Sequence, residues 1–178
     1  GYGQITVALF FDANCSGITP DPGNEGYTML TDLQNLGHTV NTFSGSTGAE
    51  WAAGLAGAEL IVIPETESCS ITCYLDADAL DEFHDYVDGG GGLIMSGNAG
   101  NLTIGVLSSL FGTTLSSGSN TSPITYNAAG ASGTLFDGPP ATLQPLSGTN
   151  AYSSLPAGVD AFYESATGDA VVGTTAYN

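Results

Sequence analysis

The sequence predicts an α/β protein: a flavodoxin-like three-layer parallel sheet, with strand order near 2-1-3-4, and a β-rich C-terminal extension. Strand and helix patterns alternate through the first part of the chain, which is typical of β-α units joined by right-handed crossovers. The run Ile5–Phe11 is continuously apolar, as expected for a strand in a sheet whose two faces are covered by helices. After about residue 112 the helical period gives way to Ser, Thr and Gly. We therefore expect one domain over residues 1–178, with a βα core at 1–111 and the extension at 112–178.

The first half of the core begins with the apolar run Ile5–Phe11, which is the predicted first strand. A helix is expected next, because Gly37 is placed to end it and apolar residues recur before it at helical spacing. Those apolar residues are Tyr27, Leu30, Leu33 and Leu36. His38–Phe43 is the predicted second strand. Thr47 and Glu50 then form a capping-box signature, which predicts the start of a second helix.

The second half of the core continues the alternation. Leu60–Ile63 is the predicted third strand, and Leu93–Met95 is the fourth. Between them Asp76 is placed as the N-cap of a helix, with Leu75 and Leu80 as a hydrophobic staple around it. In the extension, three short pieces have strand character, at residues 124–126, 161–163 and 170–174.

The charge balance is unusual, since the chain has no Lys or Arg and 18 acidic residues, for a net charge of −18. Ordinary usage is roughly one basic residue in eight. Nucleic acids and anionic membranes are bound through basic side chains, so both are excluded as partners. Phosphate-bearing cofactors lose the same contacts, and no nucleotide or flavin is expected. The carboxylates are either solvated or paired with a cation from outside, and Ca²⁺, which prefers oxygen ligands, is the expected cation.

The cysteines indicate an extracellular or cell-surface protein. One disulfide is expected, either between Cys69 and Cys73 or from Cys15 to one of these two, and the leftover thiol is then buried or pairs with another molecule. Three N-glycosylation sequons are compatible with export; they begin at Asn14, Asn101 and Asn120. A chain without Lys or Arg also offers trypsin-like proteases no cleavage site, a useful property outside a cell.

Acidic side chains follow two strands that are expected to be neighbours. In an open parallel sheet, ligands bind beyond the carboxyl ends of the strands. This rule selects Asp12 after the first strand and Glu65 and Glu67 after the third. Without a basic residue nearby, these acids bind a cation, share protons or stand apart in water. We take Asp12, Glu65 and Glu67 as a candidate metal site.

Four runs of the sequence resemble the class I glutamine amidotransferase-like superfamily, and most closely its ThuA-like, non-catalytic members. They are ITVALFFD, LQNLGHTVNTF, WAAGLAGAELIVIP and LDEFHDYVDGGGGLIMSGNAG, within roughly residues 4–110. Catalytic members carry a Cys nucleophile in G-x-C-x-G after the strand that corresponds to Leu93–Met95. Here Asn98 takes that position, and no His follows His84 to form the downstream His-x-Glu pair. The resemblance therefore implies a loss of amidotransferase activity, and no catalytic residue is assigned.

These observations lead us to expect a non-catalytic, extracellular structural or interaction module. It would assemble with copies of itself, as a homo-oligomer or as the subunit of a cell-surface filament or layer. Divalent cations would offset its charge, because a net charge this far from zero keeps molecules apart. Two alternatives stay open: a degenerate or glycan-directed hydrolase, and a carbohydrate-binding domain for a neutral glycan. Both would use the carboxyl edge of the sheet.

Overall fold

The computed structural model describes residues 3–16, 23–66, 68–97, 102–133, 137–138, 140–143 and 150–174. The chain divides into two compact units, Gly1–Gly97 and Asn98–Asn178. That residues 1–178 form a single domain, with a βα core at 1–111 and a β-rich extension from residue 112, stays a prediction. Within the described residues, no helix combines the length and the apolar character that a membrane crossing needs.

The first unit contains a four-stranded parallel sheet with the order β2-β1-β3-β4. Its strands are β1 (Thr6–Phe10), β2 (Thr39–Phe43), β3 (Leu60–Ile63) and β4 (Gly92–Met95). The central strands β1 and β3 are almost fully buried, as their continuous apolar runs predict. The predicted flavodoxin-like fold and its strand order are confirmed.

Four helices accompany this sheet: α1 (Glu25–Asn35), α2 (Gly48–Leu55), the single turn α3 (Ile71–Tyr74) and α4 (Ala77–Asp88). The predicted N-cap of α4 is present, since the Asp76 carboxylate accepts a hydrogen bond of 2.8 Å from the N–H of Ala79. One part of the prediction for α1 is wrong. Leu36, expected on the apolar face, lies just beyond the last helical residue and is 74% exposed. Helix α3 was not predicted from the sequence.

Aromatic rings form the centre of the first unit. The Trp51 ring of α2 lies 5.4 Å from the Phe10 ring of β1, measured between centroids. It lies 5.2 Å from the ring of Phe43 on β2 and 5.2 Å from the ring of Phe83 on α4. Trp51, Phe10 and Phe83 are fully buried. These contacts fix the two helices against the sheet and so position the loops at its carboxyl edge.

The second unit contains α5 (Leu102–Phe111), α6 (Ala128–Ala131) and a six-stranded antiparallel sheet. Its strands are β5 (Ser116–Ser117), β6 (Ile124–Tyr126), β7 (Thr142–Leu143), β8 (Tyr152–Ser154), β9 (Asp160–Glu164) and β10 (Ala170–Thr174), in the order β5-β8-β10-β9-β6-β7. The three predicted strand pieces are β6, β9 and β10, which confirms the β-rich extension. Ile124, Phe162 and Tyr163 lie in its core.

Candidate functional site

The candidate site is the carboxyl edge of the parallel sheet, and Asp12 lies at its centre. Asp12 follows β1 and is only 3% exposed. One carboxylate oxygen, Oδ1, accepts a hydrogen bond of 2.8 Å from the N–H of Asn14. The other, Oδ2, accepts hydrogen bonds of 2.8 Å from the N–H of Gly45 and from the hydroxyl of Tyr74. A single carboxylate therefore joins the loop after β1, the loop after β2 and helix α3.

These hydrogen bonds determine the ionisation of the pair. Burial, the largest single influence, raises the pKa of Asp12, but the hydrogen bonds from Gly45, Tyr74 and Asn14 together hold that pKa below its ordinary value of 3.8. Burial, and then the hydrogen bond and charge of Asp12, raise the pKa of Tyr74 above 10.0. Near neutral pH the pair is thus an ionised acceptor and a neutral donor.

A disulfide between Cys15 and Cys69 links the loop after β1 to the loop after β3. The backbone supports the link, since the N–H of Ser68 donates a hydrogen bond of 2.9 Å to the carbonyl of Cys15. This is one of the three pairings that the sequence left open, and it is compatible with an extracellular protein. Cys73 is free and exposed. The expectation of a buried leftover thiol is therefore wrong, and its pairing with another molecule stays a prediction.

The loop after β2 is held by the start of α2. The Glu50 carboxylate accepts hydrogen bonds from the N–H and the hydroxyl of Thr47, at 3.0 and 2.7 Å, and from the N–H of Ser46 at 2.9 Å. These bonds lower the pKa of Glu50. The indole N–H of Trp51 donates to the carbonyl of Gly45 at 3.2 Å. The capping-box prediction thus identifies the segment that presents Gly45 to Asp12.

The three-acid metal site is not assembled from the residues that the structure describes. Asp12 is occupied by its three hydrogen-bond donors, Glu65 is partly buried, and Glu67 lies outside the described residues. Among the described ranges, no group of three or more His, Cys, Asp or Glu side chains is placed to hold a metal ion. Since Glu67 is not described, the site and its Ca²⁺ stay predictions.

Two asparagines that the sequence analysis singled out also lie outside the described residues. They are Asn98, at the nucleophile position of the resemblance, and the sequon residue Asn101. The other sequon residues, Asn14 and Asn120, are exposed. Tyr74 was missed by the sequence reasoning, because it lies 62 residues from Asp12 on a helix of one turn.

Comparison with known proteins identifies solved structures with a similar fold. No family model and no curated protein matches the chain. Among solved structures, it is similar to a GMP synthase-like protein from Thermoplasma acidophilum, with a TM-score of 0.57 and 13% identity over 98% of this chain and 80% of that one. It is similar to a ThuA-like protein from Bacteroides uniformis, with a TM-score of 0.55 and 13% identity over 93% of this chain and 71% of that one.

A third similar structure is the exo-β-1,4-mannosidase Op5Man5 from the Opitutaceae bacterium strain TAV5, with a TM-score of 0.56 and 18% identity. The match covers 98% of this chain but only 30% of the mannosidase. Identities this low establish the fold alone. The chain therefore shares its fold with the GMP synthase-like and ThuA-like structures, and this likeness of fold is consistent with the resemblance found in the sequence.

Proposed function

We propose that this chain is a non-catalytic, ThuA-like interaction module that acts outside the cell and assembles with copies of itself. The assembly is a homo-oligomer or a cell-surface filament or layer, and divalent cations offset its charge. In this proposal the fold provides a stable module that persists outside the cell and catalyses no reaction.

The observation that supports this proposal is that the Asp12 carboxylate is buried and hydrogen-bonded within the chain. The carboxyl edge is where a sheet of this kind binds ligands, yet its central carboxylate is buried and accepts three hydrogen bonds from the chain itself. The Cys15–Cys69 disulfide closes the same edge. An edge built in this way holds loops together and leaves little reactive capacity in Asp12.

The alternative of a glycan-directed hydrolase is less well supported by the same residue. Glycoside hydrolysis needs a carboxylic acid that stays protonated, so its pKa is raised. The hydrogen bonds from Gly45 and Tyr74 hold the pKa of Asp12 below its ordinary value instead. Asp12 is thus unsuited to be the acid of such a pair.

The need for cations follows from the surface of α4. Asp78, Asp81, Glu82, Asp85 and Asp88 are all exposed on this helix, and the chain has no Lys or Arg to pair with them. Two such surfaces repel each other unless ions lie between them. Hard divalent cations, which take carboxylate oxygens, would allow copies to approach.

Negative-stain imaging and sedimentation in calcium and after chelation test the proposal. We expect assemblies in calcium and smaller species after chelation, whereas sodium chloride at the same ionic strength, which only screens charge, should not replace calcium. The double change Asp81→Asn with Asp85→Asn should weaken the response to calcium, and Asp32→Asn on α1 is the matched control. A monomer that is unaffected by chelator would refute self-assembly.

A further inference from the structure

The strand β2 is an open edge of the parallel sheet. On one side it pairs with β1, and on the other side no strand pairs with it among the residues that the structure describes. Its residues Thr39, Asn41 and Thr42 are exposed. An open groove of about 420 Å³ lies beside the strand, lined on one side by residues 41–44 and on the other by α2. The outer edge of β2 is therefore accessible to another chain.

The backbone hydrogen bonds at both ends of β2 go to β1. The N–H of Thr39 donates to the carbonyl of Ile5 at 3.0 Å, and the carbonyl of Phe43 accepts a hydrogen bond of 2.7 Å from the N–H of Phe11. The register between the two strands is regular, with five consecutive pairs. In a parallel pair, alternate residues of a strand direct both backbone groups to the same neighbour. Every second residue of β2, from Thr39 to Phe43, therefore faces β1.

The remaining two residues of β2, Val40 and Thr42, direct their N–H and carbonyl groups outward. Natural proteins usually protect an edge strand with charged side chains, Pro or a bulge, because an open edge is a template for pairing with another chain. The strand β2 has none of these features. Its outer edge is thus ready to form a ladder with a further strand.

These backbone groups match those of a second copy of the same strand. In an antiparallel pair, two residues that face each other exchange both backbone hydrogen bonds. When Val40 of one copy faces Thr42 of the other, a two-fold axis passes beside Asn41, and the same exchange occurs on both sides of that axis. Two four-stranded parallel sheets then become one continuous sheet across the two copies.

Charge favours a second copy over other partners at this edge. Residues 33–49 contain no Asp or Glu, so two copies meet here without opposed carboxylates, although each has a net charge of −18. Of the described residues that line the groove, only Glu50 is charged, and its carboxylate already accepts hydrogen bonds from the N–H groups of Ser46 and Thr47. A basic strand would find no unoccupied carboxylate among these residues. The β2 strand of a second copy is neutral and has the required spacing of backbone groups.

We infer that β2 pairs with β2 of a second copy, antiparallel and centred on Asn41, in a symmetric dimer. This contact rests on the proposed self-assembly and specifies where two copies meet. It needs no cation, unlike contacts between the acidic surfaces of α4, so chelation should break larger assemblies and leave this dimer. Sodium chloride should strengthen it by screening the net charge. Because two short strands bury little surface, we expect a Kd of about 0.1–1 mM.

Cysteine cross-linking tests the register. Facing residues at the axis form a pair without hydrogen bonds, with Cα atoms about 4.5 Å apart, which suits a disulfide. In a Cys73→Ser background, which removes the free thiol, Asn41→Cys should form a covalent dimer under copper-catalysed air oxidation, detected on a non-reducing gel. Thr39→Cys is the matched control on the same face of the strand. Its two Cα atoms lie roughly 14 Å apart in this register, too far for a disulfide.

Asn41→Asp tests the contact without a covalent bond. It places two carboxylates opposite each other across the axis, where like charges are destabilising. The Kd from sedimentation equilibrium should rise at least about tenfold. Gln34→Glu adds the same charge at an exposed position on α1 and should leave the Kd within about twofold. Both positions are exposed, so neither variant should change the melting temperature by more than a few degrees.

Several results would overturn the edge contact. Equal cross-linking of Asn41→Cys and Thr39→Cys would do so, as would the absence of a covalent Asn41→Cys dimer at about 1 mM protein. A dimer that dissociates on chelation would assign the contact to acidic surfaces instead. Amide NMR shifts at Val40 and Thr42 that appear only with a lysine-rich strand peptide would assign the edge to a basic partner.

The same measurements separate this contact from the proposed function. Calcium-dependent assemblies that form without the Asn41→Cys cross-link would overturn the edge contact and leave the proposed function standing. A chain that stays monomeric in calcium, after chelation and in sodium chloride would overturn both.

Discussion

Replacing Asp12 by Asn tests whether this carboxylate holds the carboxyl edge together. The Asn oxygen can face Gly45 and Tyr74, but the amide NH₂ then points at the N–H of Asn14, a donor against a donor. One hydrogen bond is lost, and two lose the charge on their acceptor. Hydrogen bonds to charged groups contribute about 1.5–3 kcal/mol and neutral ones about 0.5–1.5 kcal/mol. Relief of the buried charge offsets part of the loss, so we expect the free energy of unfolding to fall by about 2–3 kcal/mol.

The assay is urea unfolding followed by the fluorescence of Trp51, the only Trp in the chain. Trp51 is buried in the same unit as Asp12, so its signal follows that unit. Asp32→Asn removes the same charge from an exposed position on α1, and its effect should stay within about 0.5 kcal/mol. Tyr74→Phe removes one donor alone and should cost about 1–2 kcal/mol.

The pH dependence supplies the sharper test. The folded pKa of Asp12 lies below its ordinary value of 3.8, so the ionised form stabilises the fold. This contribution is complete above the unfolded pKa and is lost as the pH falls through the folded pKa. The gap in unfolding free energy between the parent and Asp12→Asn should therefore narrow between neutral pH and about pH 3. The reasoning would be refuted if the difference in unfolding free energy between the parent and Asp12→Asn did not narrow at low pH. It would also be refuted if Asp32→Asn lost as much stability as Asp12→Asn.

Two further predictions concern the disulfide and the charge of α4. Cys69→Ser removes the disulfide to Cys15, which spans 54 residues, and should lower the free energy of unfolding by about 4 kcal/mol through loop entropy. Cys73→Ser, at an exposed thiol, is the control and should lower it by less than about 0.5 kcal/mol. Equal melting temperatures for the two variants would contradict this prediction. Asp85→Lys replaces a like-charge pair with Asp81 by an attractive one in the last turn of a helix, and should raise the unfolding free energy by about 1 kcal/mol. Asp85→Asn should give about half of that gain, and a gain that does not shrink in high salt would argue against an electrostatic origin.

The parallel sheet was predictable because its signals are local. The run at Ile5–Phe11 is long enough to identify a strand buried on both faces, and Asp76 and Thr47 mark helix starts through contacts within three residues. The same locality explains the error at Leu36, since helical spacing continues past the residue at which the helix ends. It also explains the missed strands β5, β7 and β8, which have two or three residues each and no alternation to detect.

The site was harder to predict because its contacts are distant in sequence. The rule for strand ends correctly places Asp12 at the carboxyl edge, but nothing near Asp12 in sequence indicates that Tyr74 and Gly45 will occupy its oxygens. Three cysteines allow three pairings, and only the fold selects Cys15 with Cys69.

The Cys15–Cys69 disulfide has a mechanical consequence. A pulling force applied to the two ends of the chain would pass through the disulfide, so the intervening residues, with α1, β2, α2 and β3 among them, would carry no load. The link spans 54 residues, which at about 3.5 Å each corresponds to roughly 190 Å of chain that cannot extend while the bond is intact. Two of the four strands of the parallel sheet, β1 and β3, lead directly into the loops that this bond joins, and its reduction under tension would lengthen the chain abruptly.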